Sequence, residues 1–278
     1  RLLKIHWNEA GISEYFTILD SQDQLRMIKR IIKSKNLDEN LYDSKHLQNF
    51  INSQKDKGLR YDSSDNDDDK YRDIFRDYDL ACRQTNSVDF ADLILLSYEM
   101  LLTNENVLNY YRNRFRNIMV DEFQDTNTLQ FNFLKLINGS SGSLYAVGDD
   151  DQSIYGWRGA KVENITEFSK VKNTEIVRLE QNYRSTENIL NAANAVIGKN
   201  SQRLGKKLWT DGAKGDPIDV YEAYSEQEEA SFVSENVHQI TQGGDQYKDI
   251  AVLYRSNAQS RVIEEFLLRQ TIPYVIYG

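Results

Sequence analysis

From residue 117 onward, short apolar runs alternate with longer stretches of helical periodicity. Asn117-Ile-Met-Val120 is followed by the polar burst Asp121-Glu-Phe-Gln-Asp-Thr126. Ser143-Leu-Tyr-Ala-Val147 is followed by Gly148-Asp-Asp-Asp-Gln-Ser-Ile-Tyr-Gly-Trp-Arg-Gly-Ala160. Thr174-Glu-Ile-Val-Arg-Leu179 is followed by Glu180-Gln-Asn-Tyr-Arg-Ser-Thr186. Between the first two runs, Leu129, Phe133, Leu134 and Ile137 mark a helix face that Asn138-Gly139 ends. Between the second and third, Val162, Ile165 and Phe168 mark another. Apolar runs of this length, separated by helices, predict parallel strands of an α/β sheet. In such sheets ligands bind beyond the carboxyl ends of the strands, so the three polar bursts are expected to share that edge.

The same alternation continues to the end of the chain. A helix is predicted over Glu187–Ile197, then a polar, basic connector from Gly198 to Lys207. Ile218–Tyr221, Asp249–Tyr254 and Ile272–Tyr277 read as strands. Ser225-Glu-Gln-Glu228 reads as a capping box opening a helix that Gly243-Gly244 stops, and a further helix runs through Val262, Ile263, Phe266 and Leu267. Residues 1–115 lack this alternation and read as helical. Ser21-Gln-Asp-Gln24 resembles a capping box before Leu25, Ile28 and Ile32; a second helix spans His46–Gln54; Tyr71, Ile74, Phe75 and Tyr78 form a third stripe. Asp89 is placed to cap a fourth helix, and a fifth covers Glu105–Arg114. The predicted class is α/β: a partial parallel sheet over 116–181, an all-helical insert over 1–115, and the first, incomplete part of a second α/β unit over 182–278.

Composition narrows the class. The chain has 278 residues, with 40% hydrophobic and 28% charged, as a protein with a real core requires. No apolar run approaches the roughly 20 residues that span a bilayer, so no membrane role is expected. The first residue is Arg and not Met, and the chain is expected to begin inside a longer protein. The single cysteine, Cys82, has no internal disulfide partner and reads as a small buried hydrophobe, which makes a cytoplasmic setting the default expectation. The net charge of −9 argues against a sequence-independent phosphate binder with a broad basic footprint, though not against a protein that grips single strands by stacking. Part of the excess is local, in the acidic run Asp62-Ser-Ser-Asp-Asn-Asp-Asp-Asp69, which reads as a solvated loop. His6 and His46 are isolated and read as surface or packing residues.

The strand ends carry the candidate chemistry. Asp121-Glu122 directly after an apolar strand suits a Walker B arrangement, in which one carboxylate holds Mg²⁺ and the next orients and deprotonates an attacking water. A bare Asp-Glu pair could be only an acidic turn; the full burst to Thr126 is more specific. Gln152 lies at the mouth of the second strand, where an amide can meet both a phosphate oxygen and that water, although a strand-end Gln can also be an ordinary loop residue. Asp149, Asp150 and Asp151 suggest a metal cluster on first sight, but capping and loop positioning is the favoured reading. Tyr155, Trp157 and Arg158 could stack on unpaired bases, at about 1–3 kcal/mol per base, or simply pack between domains. Arg184 follows the third run and could stabilise transition-state charge as an arginine finger, or serve a structural salt bridge.

Taken together, these residues resemble the superfamily 1 DNA helicases of the UvrD/Rep/PcrA group. Asp121 to Thr126 is similar to the family's motif II, Gly148 to Ala160 to motif III, Leu179 to Thr186 to motif IV, and Tyr254 to Arg261 to motif IVa. The connector Arg203-Leu-Gly-Lys-Lys-Leu-Trp-Thr-Asp-Gly212 and the stretch Ile51-Asn-Ser-Gln-Lys-Asp56 are similar as well, so the resemblance covers essentially the whole chain. It implies a RecA-like motor using ATP and Mg²⁺ to move 3′→5′ along single-stranded DNA and separate duplex at a junction, in repair or replication. Asp121 would ligate Mg²⁺, Glu122 activate water, Gln152 contact the γ-phosphate and Arg184 act as the finger. Tyr155, Trp157 and Arg158 would line the DNA track, and Arg255 and Asn257 would touch DNA from the second motor domain. Residues 1–115 would match subdomain 1B, 116–181 the later part of 1A, and 182–278 the first part of 2A.

One departure bears on activity. No Gly-x-x-x-x-Gly-Lys-[Ser/Thr] occurs in the sequence, so the phosphate-cradling loop is absent. The family's last motifs would lie beyond Gly278, and the chain by itself is expected to be inactive. Two other readings stay open at this point: a helicase-like module that holds single-stranded DNA or a partner protein without hydrolysis, and a piece of a helicase–nuclease subunit. Loading partners, repair proteins and self-association are not specified by the sequence.

Overall fold

The computed structural model describes residues 1–62, 69–201 and 203–277. Apart from its two ends, the acidic run between Asp62 and Asp69 lies outside the described residues. Contacts divide the chain into two units, Arg1–Glu180 with Ala195–Leu208, and Gln181–Asn194 with Trp209–Gly278.

In the first unit the helices form where the apolar stripes predict them. After the short α1 (Leu2–Ile5) and β1 (Thr17–Leu19) come α2 (Ser21–Ser34), α3 (Ser44–Asp56) and α4 (Asp69–Gln84). The cap of α2 is Asp20 rather than the expected Ser21: its carboxylate accepts from the backbone N–H groups of Gln22 and Asp23, which suits an anion at the positive helix terminus. Leu19, Ile28, Ile32, Leu47, Ile51, Ile74, Phe75 and Tyr78 interlock as one core. Next follow β2 (Ser87–Asp89), α5 (Phe90–Thr103) and α6 (Glu105–Arg114). Asp89 caps α5 as expected, in a reciprocal capping box with Asp92.

The 1–115 region is not all-helical. β1 and β2 pair in parallel, Thr17 opposite Ser87 through Leu19 opposite Asp89. Strands of three residues are too short to display an alternation against helical neighbours, so periodicity had nothing to detect.

Two of the three apolar runs are strands. β3 (Asn117–Val120) and β4 (Ser143–Ala146) pair in parallel, with Asn117 opposite Ser143 and Val120 opposite Ala146. The crossover between them is α7 (Thr128–Asn138), opened by an Asn127–Gln130 capping box and closed at Gly139 with φ 61°. Short α8 (Glu163–Ser169) follows β4. The third run, Thr174–Leu179, is not a strand and pairs with neither β3 nor β4. A shared edge therefore gathers two polar bursts, not three.

The second unit holds α9 from its start (Glu187–Ile197), α10 (Glu226–Gln242) and α11 (Asn257–Arg269). Val237 of α10, Leu267 of α11 and Ile272 form its small core. Ser225 caps α10 through the Glu228 N–H, and Ser256 caps α11 in a box with Gln259. The runs at 218–221, 249–254 and 272–277 are not strands. A ladder needs a hydrogen-bonded neighbour to fix each strand, and among the described residues of this unit only the parallel bridge of Gln181 with Trp209 supplies one. Several side chains the pattern marks as core stay exposed, Leu253 and Val220 at 93% among them, while Ile272 is buried. No helix among the described residues is long and apolar enough to cross a membrane.

Candidate functional site

β3 ends at Val120 and delivers Asp121 and Glu122 to the carboxyl edge of the two-stranded sheet. Both side chains are exposed, and neither pairs with a cation among the described residues. The Glu122 N–H donates to Asp121 Oδ1 at 2.9 Å. Glu122 has φ 50° and ψ 45°, the left-handed region, which costs a non-glycine residue about 1–2 kcal/mol. The strain persists because both flanks are pinned. On one side the ladder holds Val120. On the other, the Phe123 N–H donates to the Val147 carbonyl at 2.9 Å, and Phe123 is buried against Phe131 and Phe168. Backbone held in this way aims a side chain and is a mark of working sites.

A single 3-10 turn, Phe123–Asp125, leads on to α7. Its middle residue, Gln124, is buried and was not singled out by the sequence. Gln124 Nε2 donates to Glu122 Oε2 at 2.6 Å, and its Oε1 accepts from the Asp149 N–H at 2.9 Å. Thus the loop after β3 and the loop after β4 are joined through one amide.

The loop after β4 is ordered by its own aspartates. Asp149 caps the turn Asp150–Gln152, accepting from the Asp151 N–H at 2.9 Å, and also accepts from Gln152 Nε2 at 2.8 Å. Arg203 grips Asp151 through two bonds of 2.7 and 2.6 Å; the Leu204 N–H donates to Asp150 at 2.8 Å; Lys206 pairs with Asp149. Burial alone would raise the Asp149 carboxyl, but hydrogen bonds from Lys206 and Gln152 hold it below the usual carboxylate range. Connector cations thus hold Asp149 and Asp151 while a connector N–H holds Asp150, an arrangement that suits loop positioning, and a metal there would compete with Arg203 and Lys206.

Beyond Gln152, the turn Gly156–Arg158 exposes Trp157 at 77%. Arg158 lies over both neighbouring rings, 5.0 Å from the Tyr155 centroid and 4.6 Å from that of Trp157. Tyr155 is half-buried. The turn is anchored from below: the Lys161 N–H donates to the Thr126 carbonyl at 2.9 Å, and buried Asn164 donates to the same oxygen at 2.9 Å. Asp56, the last residue of α3, accepts from Asn127 at 2.8 Å and would lie 3.3 Å from a Cβ built on Gly159, whose φ is +89°. Burial, then the charge of Asp89, pushes the Asp56 carboxyl up to about 6. Beside this anchor, Gln24, Asn52, Asp56, Phe90, Asn127 and Gln130 line a cavity of about 260 Å³.

What fixes the end of α3 is a buried ionic cluster. Lys55 has no exposed surface; its Nζ lies 2.8 Å from Asp89, 2.7 Å from Asp92 and 3.6 Å from Asp79. Arg60 joins Asp79 and Asp92 to Glu99. Burial works to lower the Lys55 ammonium, and the three carboxylates overcome it and raise it above its ordinary value. Nothing in spacing along the chain connects residues 55, 79, 89 and 92; only the packing of α3, α4 and α5 does.

The sequence candidates thus divide between the units. Asp121, Glu122, Gln152, Tyr155, Trp157 and Arg158 lie in the first, and hydrogen bonds through Gln124 and Asp149 link Glu122 to Gln152. Arg184, Arg255 and Asn257 lie in the second. Arg184 is exposed and its guanidinium has no partner among the described residues; its N–H donates to Asn182 at 2.9 Å. The Arg255 N–H donates to Gln259 at 3.1 Å, and Asn257 opens α11.

The model of the UvrD/REP helicase N-terminal domain matches residues 1–173, and that of the UvrD-like helicase C-terminal domain matches 177–278. The chain belongs to the UvrD/REP helicase family. Among curated relatives, it is 50% identical to DNA helicase II of Escherichia coli, 49% to DNA helicase II of Haemophilus influenzae, and 42% to ATP-dependent DNA helicase PcrA of Leuconostoc citreum. Each alignment covers 100% of this chain but only 38–39% of the relative.

Proposed function

We propose that this chain is part of an ATP-driven DNA helicase, with residues 116–181 contributing to one RecA-like motor domain, 182–278 to a second, and 1–115 to a helical subdomain set into the first. The observation that carries this reading is the hydrogen-bonded line from Glu122 to Gln152 at the carboxyl edge of β3 and β4, beside exposed Trp157. The names of the relatives, DNA helicase II and ATP-dependent DNA helicase PcrA, support it.

Asp121 fits Mg²⁺: it is an exposed, hard oxygen donor with no competing cation among the described residues. Bound there, the ion would offset charge on phosphate oxygens. Glu122 takes the proton from the attacking water. The exposed Gln152 offers its amide to the γ-phosphate, and Arg184 brings positive charge to the transition state from the second unit. Tyr155, Trp157 and Arg158 form a stacking face for single-stranded DNA, and Arg255 and Asn257 add further DNA contacts. Movement is 3′→5′ toward a duplex junction, in a cytoplasmic repair or replication setting.

The test is DNA-stimulated ATPase and strand separation by the full-length protein that contains this chain. Absence of both would overturn the reading. The isolated chain, lacking a phosphate-cradling Gly-Lys loop, is expected to hydrolyse ATP at background rate; turnover matching the full-length protein would contradict that. Trp157→Ala should weaken single-strand binding by about 5–150-fold, the equivalent of one lost stack of 1–3 kcal/mol, measured by fluorescence titration at fixed salt.

A further inference from the structure

The catalytic assignments above leave Gln124 without a role, yet it is 1% exposed and sits between the two loops that do the work. Its two bonds run in opposite senses. The amide nitrogen gives a hydrogen to the Glu122 carboxylate, and the amide oxygen receives one from the Asp149 backbone. Asp149 in turn receives one from the Gln152 side chain. The approach is close on the far side too: a Cβ on Gly148 would come within 2.9 Å of Gln124 Oε1. An uncharged carboxamide can donate to a carboxylate from its nitrogen and accept from a backbone N–H at its oxygen at once. A carboxylate would repel Glu122, an ammonium could not accept, and a hydrocarbon would leave the Asp149 N–H without this partner. Because the amide is buried, a partner lost from either end is not replaced by water.

We propose that Gln124 is a positioning residue that couples the placement of the Glu122 side chain to the loop bearing Gln152 and Trp157, and the reverse. The proposal rests on the helicase reading. The Glu122 carboxylate is tied to the amide nitrogen and the Asp149 N–H to the amide oxygen. A Glu122 side chain that swings toward its substrate therefore draws on the amide, and the amide draws on Asp149. Conversely, a single strand that shifts the Trp157 loop moves the Asp149 N–H, and so re-aims Glu122. Such coupling is reciprocal by thermodynamic necessity.

The experiment uses the full-length protein with Gln124→Leu, Gln124→Glu and, from the loop side, Gly148→Ala. Each is assayed for ATPase with and without oligo-dT, KM for ATP, oligo-dT affinity and thermal midpoint. Gln124→Leu and Gly148→Ala should each lower the ratio of DNA-stimulated to basal turnover by about 5–150-fold, the usual range of coupling between two sites. KM for ATP and oligo-dT affinity should stay near wild type. Gln124→Glu keeps an acceptor for the Asp149 N–H but loses the donor to Glu122, and should lower the same ratio. Folded Gln124 variants with wild-type stimulation would overturn the relay alone. So would equal loss of basal and stimulated turnover, the mark of a merely structural role. Should Gln124→Leu not fold, Gly148→Ala decides by the same ratio. A wild-type protein without DNA-stimulated turnover would overturn the helicase reading, and the relay with it.

Discussion

Glu122→Gln in the full-length protein is expected to lower ATP turnover by about 10²–10⁴-fold, the usual contribution of a general base, while ATP and single-strand affinity change little. The substitution is nearly isosteric. Glutamine can still accept from Gln124 through its amide oxygen, and it meets the same left-handed backbone at φ 50°. What it cannot do is take the proton. Rapid-quench measurement of one turnover separates this loss from slow product release. Turnover equal to wild type would place the base elsewhere and leave Glu122 as a positioning acid.

Lys55→Met is expected to be the most damaging stability change. It leaves Asp89 and Asp92, with Asp79 close by, facing each other in a site where Lys55 and its partners are almost wholly out of solvent. Removing one member of a buried ion cluster typically costs about 3–5 kcal/mol. For a unit of this size that corresponds to a fall of about 6–20 °C in thermal midpoint. The pH dependence has a definite sign. In the wild type, burial works against ionised Asp89, and Lys55 with its hydrogen bonds outweighs it and holds this carboxyl below the usual range, whereas at Asp92 burial prevails and lifts the carboxyl to about 6. The Asp89 stabilisation is therefore present above the unfolded-state value and lost as pH falls through the folded one, while the Asp92 contribution is lost as pH rises through about 6. Without Lys55, burial and mutual repulsion push these acids up, so protonation relieves the variant and its deficit narrows as pH drops toward 5. A deficit that widened on acidification would contradict the assignment. The site should feel this loss too, since Lys55 precedes Asp56, which accepts from Asn127 under the Trp157 turn.

How much the sequence made legible differs between helices and strands. Helix periodicity is a property of one segment, and Glu105–Arg114 and Glu187–Ile197 run as predicted. A strand is a relation between segments. Thr174–Leu179 and Asp249–Tyr254 have the right composition but lack a hydrogen-bonded neighbour, whereas Thr17–Leu19 and Ser87–Asp89 have little strand signal and do pair. At the site, Asp121, Glu122 and Gln152 could be named because each follows an apolar run directly. Gln124 and Asp56 could not, because their partners lie 25 and 71 residues away.

By itself, then, the sequence determined which segments are helical, the two polar bursts after β3 and β4 and the family motifs, since these are written in local spacing. Tertiary structure alone decided that one buried amide joins the bursts, that connector cations pair with Asp149 and Asp151, and that Lys55 gathers three carboxylates. Those are contacts between distant residues in a low-dielectric interior, where geometry sets the energy and no linear pattern records it.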